Sequence, residues 1–154
     1  MTSTNRMTEK ERLSAREDHL AKMAYFRQGG LDGIDAVKES MTAMYWPPGK
    51  TVQAEDARRV VNAVADRHGD RISHGVAKYA LSPAYANGFG AAVKTYQVEA
   101  VRQGTATHED LIATVQSRLD TYVASEERPT DWLKPLEGIG FQEHFIEAKG
   151  LKAV

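Results

Sequence analysis

Residues 32–49 read DGIDAVKESMTAMYWPPG, and this stretch decides the fold class. Ile34, Val37, Met41, Met44 and Tyr45 follow one another at steps of three and four, the spacing that puts side chains on one face of an α-helix. Pro47-Pro48-Gly49 ends the pattern, because proline has no N–H for the helix ladder and keeps the residue before it out of the α region.

The same period recurs outward in both directions. On the N-terminal side, Thr8 with Glu11 forms a capping signal, and Leu13, Leu20 and Ala24 continue at helical spacing. That helix is expected to end near Arg27, where Gly29-Gly30 stops it, and a second to begin at Asp32 or Gly33. On the C-terminal side, a third helix is predicted from Ala54 to Arg67, with Ala57, Val60, Val61 and Val64 on one face. A short fourth is predicted over Ile72 to Leu81. A fifth starts at Ser82-Pro83 with the stripe Tyr85, Phe89, Val93, Tyr96 and Ala100, and ends at Gly104. Thr107 with Asp110 caps a sixth, which carries Leu111, Val115, Leu119 and Tyr122, with Ile112 and Val123 beside them. A last helix is expected from Phe141 to Lys149.

No segment alternates apolar and polar residues long enough to read as a strand, and no repeat is present. The expectation is an all-α bundle of five to seven short antiparallel helices (residues 9–127), preceded by a disordered arm (residues 1–8) and followed by an apolar docking segment (residues 128–154). That segment concentrates Trp132, Leu133, Leu136, Ile139, Phe141, Phe145 and Ile146, broken by Pro135, Gly138 and Gly140. It is too apolar to hang in water and too interrupted for one helix, so it is expected to dock on its own bundle or on another chain.

Composition narrows the function. The chain has 154 residues, 42% hydrophobic and 27% charged, which suits one globular domain. Lys and Arg number 20 against 21 Asp and Glu, which argues against a dedicated nucleic-acid binder. The run Arg58-Arg59, Arg67 and Arg71 is interrupted by Asp56, Asp66 and Asp70 and reads as a solvated, salt-bridged face. There is no cysteine, which excludes disulfides, thiolate metal sites and cysteine nucleophiles. No apolar run approaches the roughly 20 residues that span a bilayer, and Met1 to Glu11 lacks the apolar core of a secretory signal, so a cytoplasmic location is expected.

Motifs for chemistry are sparse. Gly49-Lys50-Thr51 lacks the earlier glycine and the preceding strand of a phosphate loop, and reads as a turn. Gly88-Phe89-Gly90 has Val93 where a dinucleotide fingerprint has glycine. With Ala84, Ala86, Ala91 and Ala92, those glycines read instead as a place where another helix approaches closely. Among the histidines, His68 with Asp70 and His74 is the cluster to inspect for acid–base work, and His144 with Glu147 shares a helix face suited to a metal. Each has a plainer reading, His68 as a helix-terminal charge and His144 as a boundary residue beside Phe141 and Phe145.

One resemblance stands beside these readings. Pro83 to Leu111, PAYANGFGAAVKTYQVEAVRQGTATHEDL, resembles the helical arm of the smaller subunit in nitrile hydratase-like enzymes, where a tyrosine-led helix precedes Gly, Thr and an acidic-Leu helix start. Its first helix is about one turn longer here and the arm's tryptophan is missing; the match covers under a fifth of the chain, and no site residue follows from it. The sequence therefore favours a non-catalytic structural or interaction subunit with no cofactor, bound to a protein partner or to its own copies. Tyr45, Trp46, Trp132, Phe141 and Phe145 are the expected partner contacts, since aromatics are enriched in interface cores. A small helical enzyme, or an accessory subunit of one, using histidine with Asp or Glu is the alternative.

Overall fold

One helix stands where the glycine signal predicts two. In the computed structural model, which describes residues 8–73 and 83–126 apart from the side chains of Arg12 and residues 70–73, α1 runs unbroken through Glu9–Ala43. It is followed by α2 (Ala54–Ser73), α3 (Pro83–Gln103) and α4 (His108–Glu126). The described residues are thus all-α, with four helices and a single isolated bridge between Thr51 and Thr107. The expected break at Gly29-Gly30 and restart at Asp32 or Gly33 are corrected; α1 and α2 are longer than expected, and α3 keeps its expected bounds. The helices expected over residues 72–81 and 141–149, and the docking segment, fall wholly or mainly outside the described residues.

The glycines continue the helix because another backbone lies against them. A Cβ on Gly29 would sit 2.0 Å from the Tyr85 carbonyl oxygen, and one on Gly88 would sit 2.0 Å from that of Phe26. Gly33 meets the Phe89 carbonyl, and Gly30 meets the Leu119 side chain, both at 2.7 Å. Each interior glycine costs a helix about 1 kcal/mol against alanine. Contact along the α1–α3 seam, with Cα–H groups facing carbonyl oxygens, offsets that cost. The tight approach expected from Gly88 and its small neighbours is what this seam contains.

The order of these contacts gives the topology. Gly88 lies by Phe26 and Gly30, and Gly33 by Phe89 and Ala92, so α1 and α3 run in the same sense. His19 Nε2 is 2.8 Å from the Glu126 carbonyl oxygen, and Gly30 touches Leu119, so α4 runs against α1. Gln53 reaches the Gly104 carbonyl while the His68 ring lies 5.9 Å from Phe89, so α2 runs against α3. Chain neighbours are antiparallel, as short loops predict, but the tightest pair is the parallel diagonal α1–α3. Glycine removes the side chains that normally hold a bundle's diagonal apart.

Most of α3 is buried, from Tyr85 and Phe89 to Tyr96 and Ala100, with Asn87, Lys94 and Val98 half-buried along one stripe. Val60, Val61 and Val64 of α2 and Leu111, Val115 and Leu119 of α4 pack into the same core. The Leu13, Leu20 and Ala24 stripe does not face that core: Leu13 is 57% exposed, and Met23 and Phe26 take the inward positions. The predicted caps of α1 and α4 form, with Glu11 N–H donating to Thr8 Oγ1 at 3.1 Å and Asp110 N–H to Thr107 Oγ1 at 3.1 Å. α2 continues past its expected end at Arg67 through a non-helical His68 (φ −125°, ψ 23°). The 44–53 and 104–107 loops meet at one end of the bundle, where Val52 N–H donates to the Ala106 carbonyl at 2.8 Å.

Candidate functional site

Two features at that end stand out, a projecting turn and a groove. The turn follows from how α1 stops. Tyr45 N–H donates to the Thr42 carbonyl at 3.0 Å and Trp46 N–H to that of Met41 at 3.2 Å, the paired bonds of a Schellman cap. This cap needs a left-handed residue at its centre, and Tyr45 occupies it with φ 53°. A bulky side chain is held there at a cost of about 1–2 kcal/mol, whereas glycine carries no such penalty. Tyr45 is also 91% exposed, so no burial among the described residues repays the strain. Trp46 beside it is half-buried, with its Nε1–H donating to the Lys50 carbonyl at 3.3 Å. The Lys50 ammonium lies 4.4 Å over the indole ring, and Pro47 and Pro48 are exposed.

The groove lies between α1 and α4 and encloses about 690 Å³. Leu31 and Ile34 of α1 and Ile112 of α4 supply its apolar lining; Asp32, Asp35, Lys38, His108 and Glu109 supply the charged and polar groups. Its volume falls in the range, roughly 300–1,000 Å³, of cavities that take small ligands or anchor side chains. Asp32 is engaged within the chain: Tyr85 O–H donates to Oδ2 at 2.5 Å and Gln28 Nε2–H to Oδ1 at 2.9 Å. Asp35 and Glu109 are exposed and have no hydrogen bond or ion pair among the described residues.

His108 is the groove's titratable ring. Its Nδ1 lies 2.9 Å from the Tyr96 hydroxyl, which fixes the imidazole and leaves Nε2 as the nitrogen available to the groove. Burial lowers its pKa from the ordinary value; Glu109 opposes that and Lys38 adds to it. Burial raises the Tyr96 phenol, helped by Glu109 and Asp56, so the phenol keeps its proton. The pair is therefore neutral near pH 7.

Of the catalytic candidates of the sequence, His68 alone has a described side chain, and it does not line this groove. His68 packs edge-on against Phe89 and points Nε2 at Glu39 Oε1, 3.4 Å away, where Arg67 Nη1 also donates at 2.7 Å. Hydrogen bonds from Arg67 and then His68 hold the Glu39 carboxyl below its usual range. The Asp70 side chain, His74, the metal candidates His144 and Glu147, and the partner candidates Trp132, Phe141 and Phe145 lie outside the described residues. Among the described residues no group of three His, Asp or Glu is placed to hold a metal ion, and no helix is long and apolar enough to cross a membrane. Arg59 pairs with Asp56 at 2.8 Å, as that acidic interruption predicts, and Arg67 pairs instead with Glu39 of α1 at 2.7 Å.

The sequence reading missed His108 and Tyr96 as a pair. The turn at Gly104 (φ 70°) folds the end of the α3 stripe onto the first residue of α4, and that fold-back is the signal that links them. Comparison with protein-family models, curated proteins and solved structures finds no match to this chain.

Proposed function

We propose that this chain is an interaction subunit of a larger assembly and that it presents Tyr45 to its partner. The observation that carries the reading is the pairing of strain with exposure at this residue: φ 53° and 91% accessibility where glycine would satisfy the cap. Strain that gains nothing from the described residues is explained when the side chain is used outside them, against a partner. Aromatic anchors of this kind, flanked by polar groups, carry much of the energy of protein interfaces.

The test is a photo-crosslinking residue placed at position 45 in living cells, with exposed Lys22 as the control position. A discrete protein adduct at 45 that is absent at 22 is the expected result. Equal labelling at the two positions would overturn the reading.

A second reading rests on the oriented His108 in the groove: acid–base chemistry at its imidazole, with Nε2 accepting a proton in the tautomer whose Nδ1–H donates to the Tyr96 oxygen. It places the sequence's histidine-based alternative at a different histidine. A substrate whose turnover His108→Asn abolishes, with the fold intact by circular dichroism, is its required result.

A further inference from the structure

The projecting turn and the groove are complementary in polarity and charge. One is an aromatic knob with a cation beside it: Tyr45 exposed, Lys50 exposed over Trp46. The other is an apolar-floored recess whose unengaged carboxylates, Asp35 and Glu109, outnumber its one ammonium, Lys38, while His108 is uncharged. An aromatic ring suits an apolar recess, a phenol hydroxyl is a hydrogen-bond donor for a carboxylate, and an ammonium such as Lys50 carries the opposite charge. Both features sit at the same end of the bundle, since His108 follows Thr107, which bridges to Thr51 in the loop carrying Lys50.

We propose that the occupant of the α1–α4 groove is the Tyr45–Lys50 turn of a second copy of this chain. This rests on the reading of Tyr45 as a partner contact and gives that partner an identity. The contact joins two different surfaces. Two copies therefore close it by exchanging knobs about a two-fold axis, or extend it head to tail. A knob of this size buries little area, so association is weak and is measured at high protein concentration.

Sedimentation of the full chain tests it with lesions on each side. Tyr45→Gly removes the knob while relieving the backbone strain, so loss of association in this variant does not come from unfolding. Asp35→Lys with Glu109→Lys reverses the groove on two exposed positions and leaves the knob intact. The wild-type chain is expected to self-associate, and each variant to weaken self-association at least tenfold. An equimolar mixture of the two variants is expected to recover a complex, because one supplies the groove and the other the knob. A wild-type chain that stays monomeric at submillimolar concentration overturns the proposal, as does self-association that survives both lesions or a mixture that recovers nothing. The crosslink at position 45 separates the two claims: an adduct with a different protein retains the partner reading and refutes the self-docking.

Discussion

Gly88→Ala tests the seam on which the fold depends. The added Cβ would lie 2.0 Å from the Phe26 carbonyl oxygen, 2.9 Å from its carbon and 3.0 Å from the Gly30 nitrogen. A comfortable C···O contact is about 3.3 Å, so α1 and α3 must separate by about 1.3 Å at this point. The obstructing atoms are backbone, and no rotamer change relieves the clash. A gap of that size forfeits about half of the dispersion energy across the surrounding contacts, which here involve Gly29, Gly33, Phe89 and Ala92. Overpacking of this kind costs about 1–3 kcal/mol, and the rigid backbone puts this case at the upper end. Alanine's better helix propensity returns about 1 kcal/mol, leaving a net loss of about 2 kcal/mol. With a urea m-value of about 2 kcal/mol/M, the unfolding midpoint falls by about 1 M, followed by circular dichroism. Gly69→Ala is the control, since its Cβ meets nothing within 4 Å and only the propensity gain remains. If Gly88→Ala raises the midpoint as the control does, the close α1–α3 approach is absent and the topology argued from it fails.

Further outcomes follow from the same geometry. Tyr45→Gly should stabilise the chain by about 1 kcal/mol in urea, because it removes the left-handed penalty of a bulky residue at φ 53°; an unchanged or lower midpoint would mean that the turn stores no strain. Tyr85→Phe should cost about 1.5–3 kcal/mol, since Asp32 loses a short hydrogen bond from a fully buried ring, and a loss below about 0.5 kcal/mol would remove that bond from the account. His108 gives a pH dependence of defined sign. Its folded pKa is lowered by burial, so the unfolded chain takes up the proton first; the stabilisation is full above about pH 6.5 and is lost as pH falls through the folded value. Wild type should therefore lose more stability than His108→Asn between pH 7.5 and 5, and parallel losses would show that His108 is not the group involved.

The sequence by itself determined the helical class and most helix ends. The steps of three and four along Ile34, Val37 and Met41, and along Tyr85, Phe89, Val93 and Tyr96, are local signals that tertiary packing did not override. The Thr8 and Thr107 caps are equally local, because a hydroxyl three residues from its N–H needs nothing distant. The Arg59–Asp56 pair is legible for the same reason, whereas Arg67 finds its partner in Glu39 of α1, 28 positions away. The prolines that follow Tyr45 put it at a helix end, and its aromatic type marks it as a partner contact; that it is held at φ 53° and 91% exposed depends on backbone geometry which its identity does not encode.

Only the tertiary structure decided what Gly29, Gly30 and Gly33 do. Alone they favour a break, since glycine gains conformational entropy outside a helix; against Tyr85, Phe89 and Leu119 they are the residues that let a helix continue. The same holds for the groove. His108 and Tyr96 are twelve positions apart and carry no shared motif. The α3–α4 turn places them in contact, and burial then lowers the imidazole pKa and makes a polar ring part of a cavity wall. Propensity and capping act over a few residues, whereas close approach and burial depend on which distant segment arrives, and that is fixed only when the whole core packs.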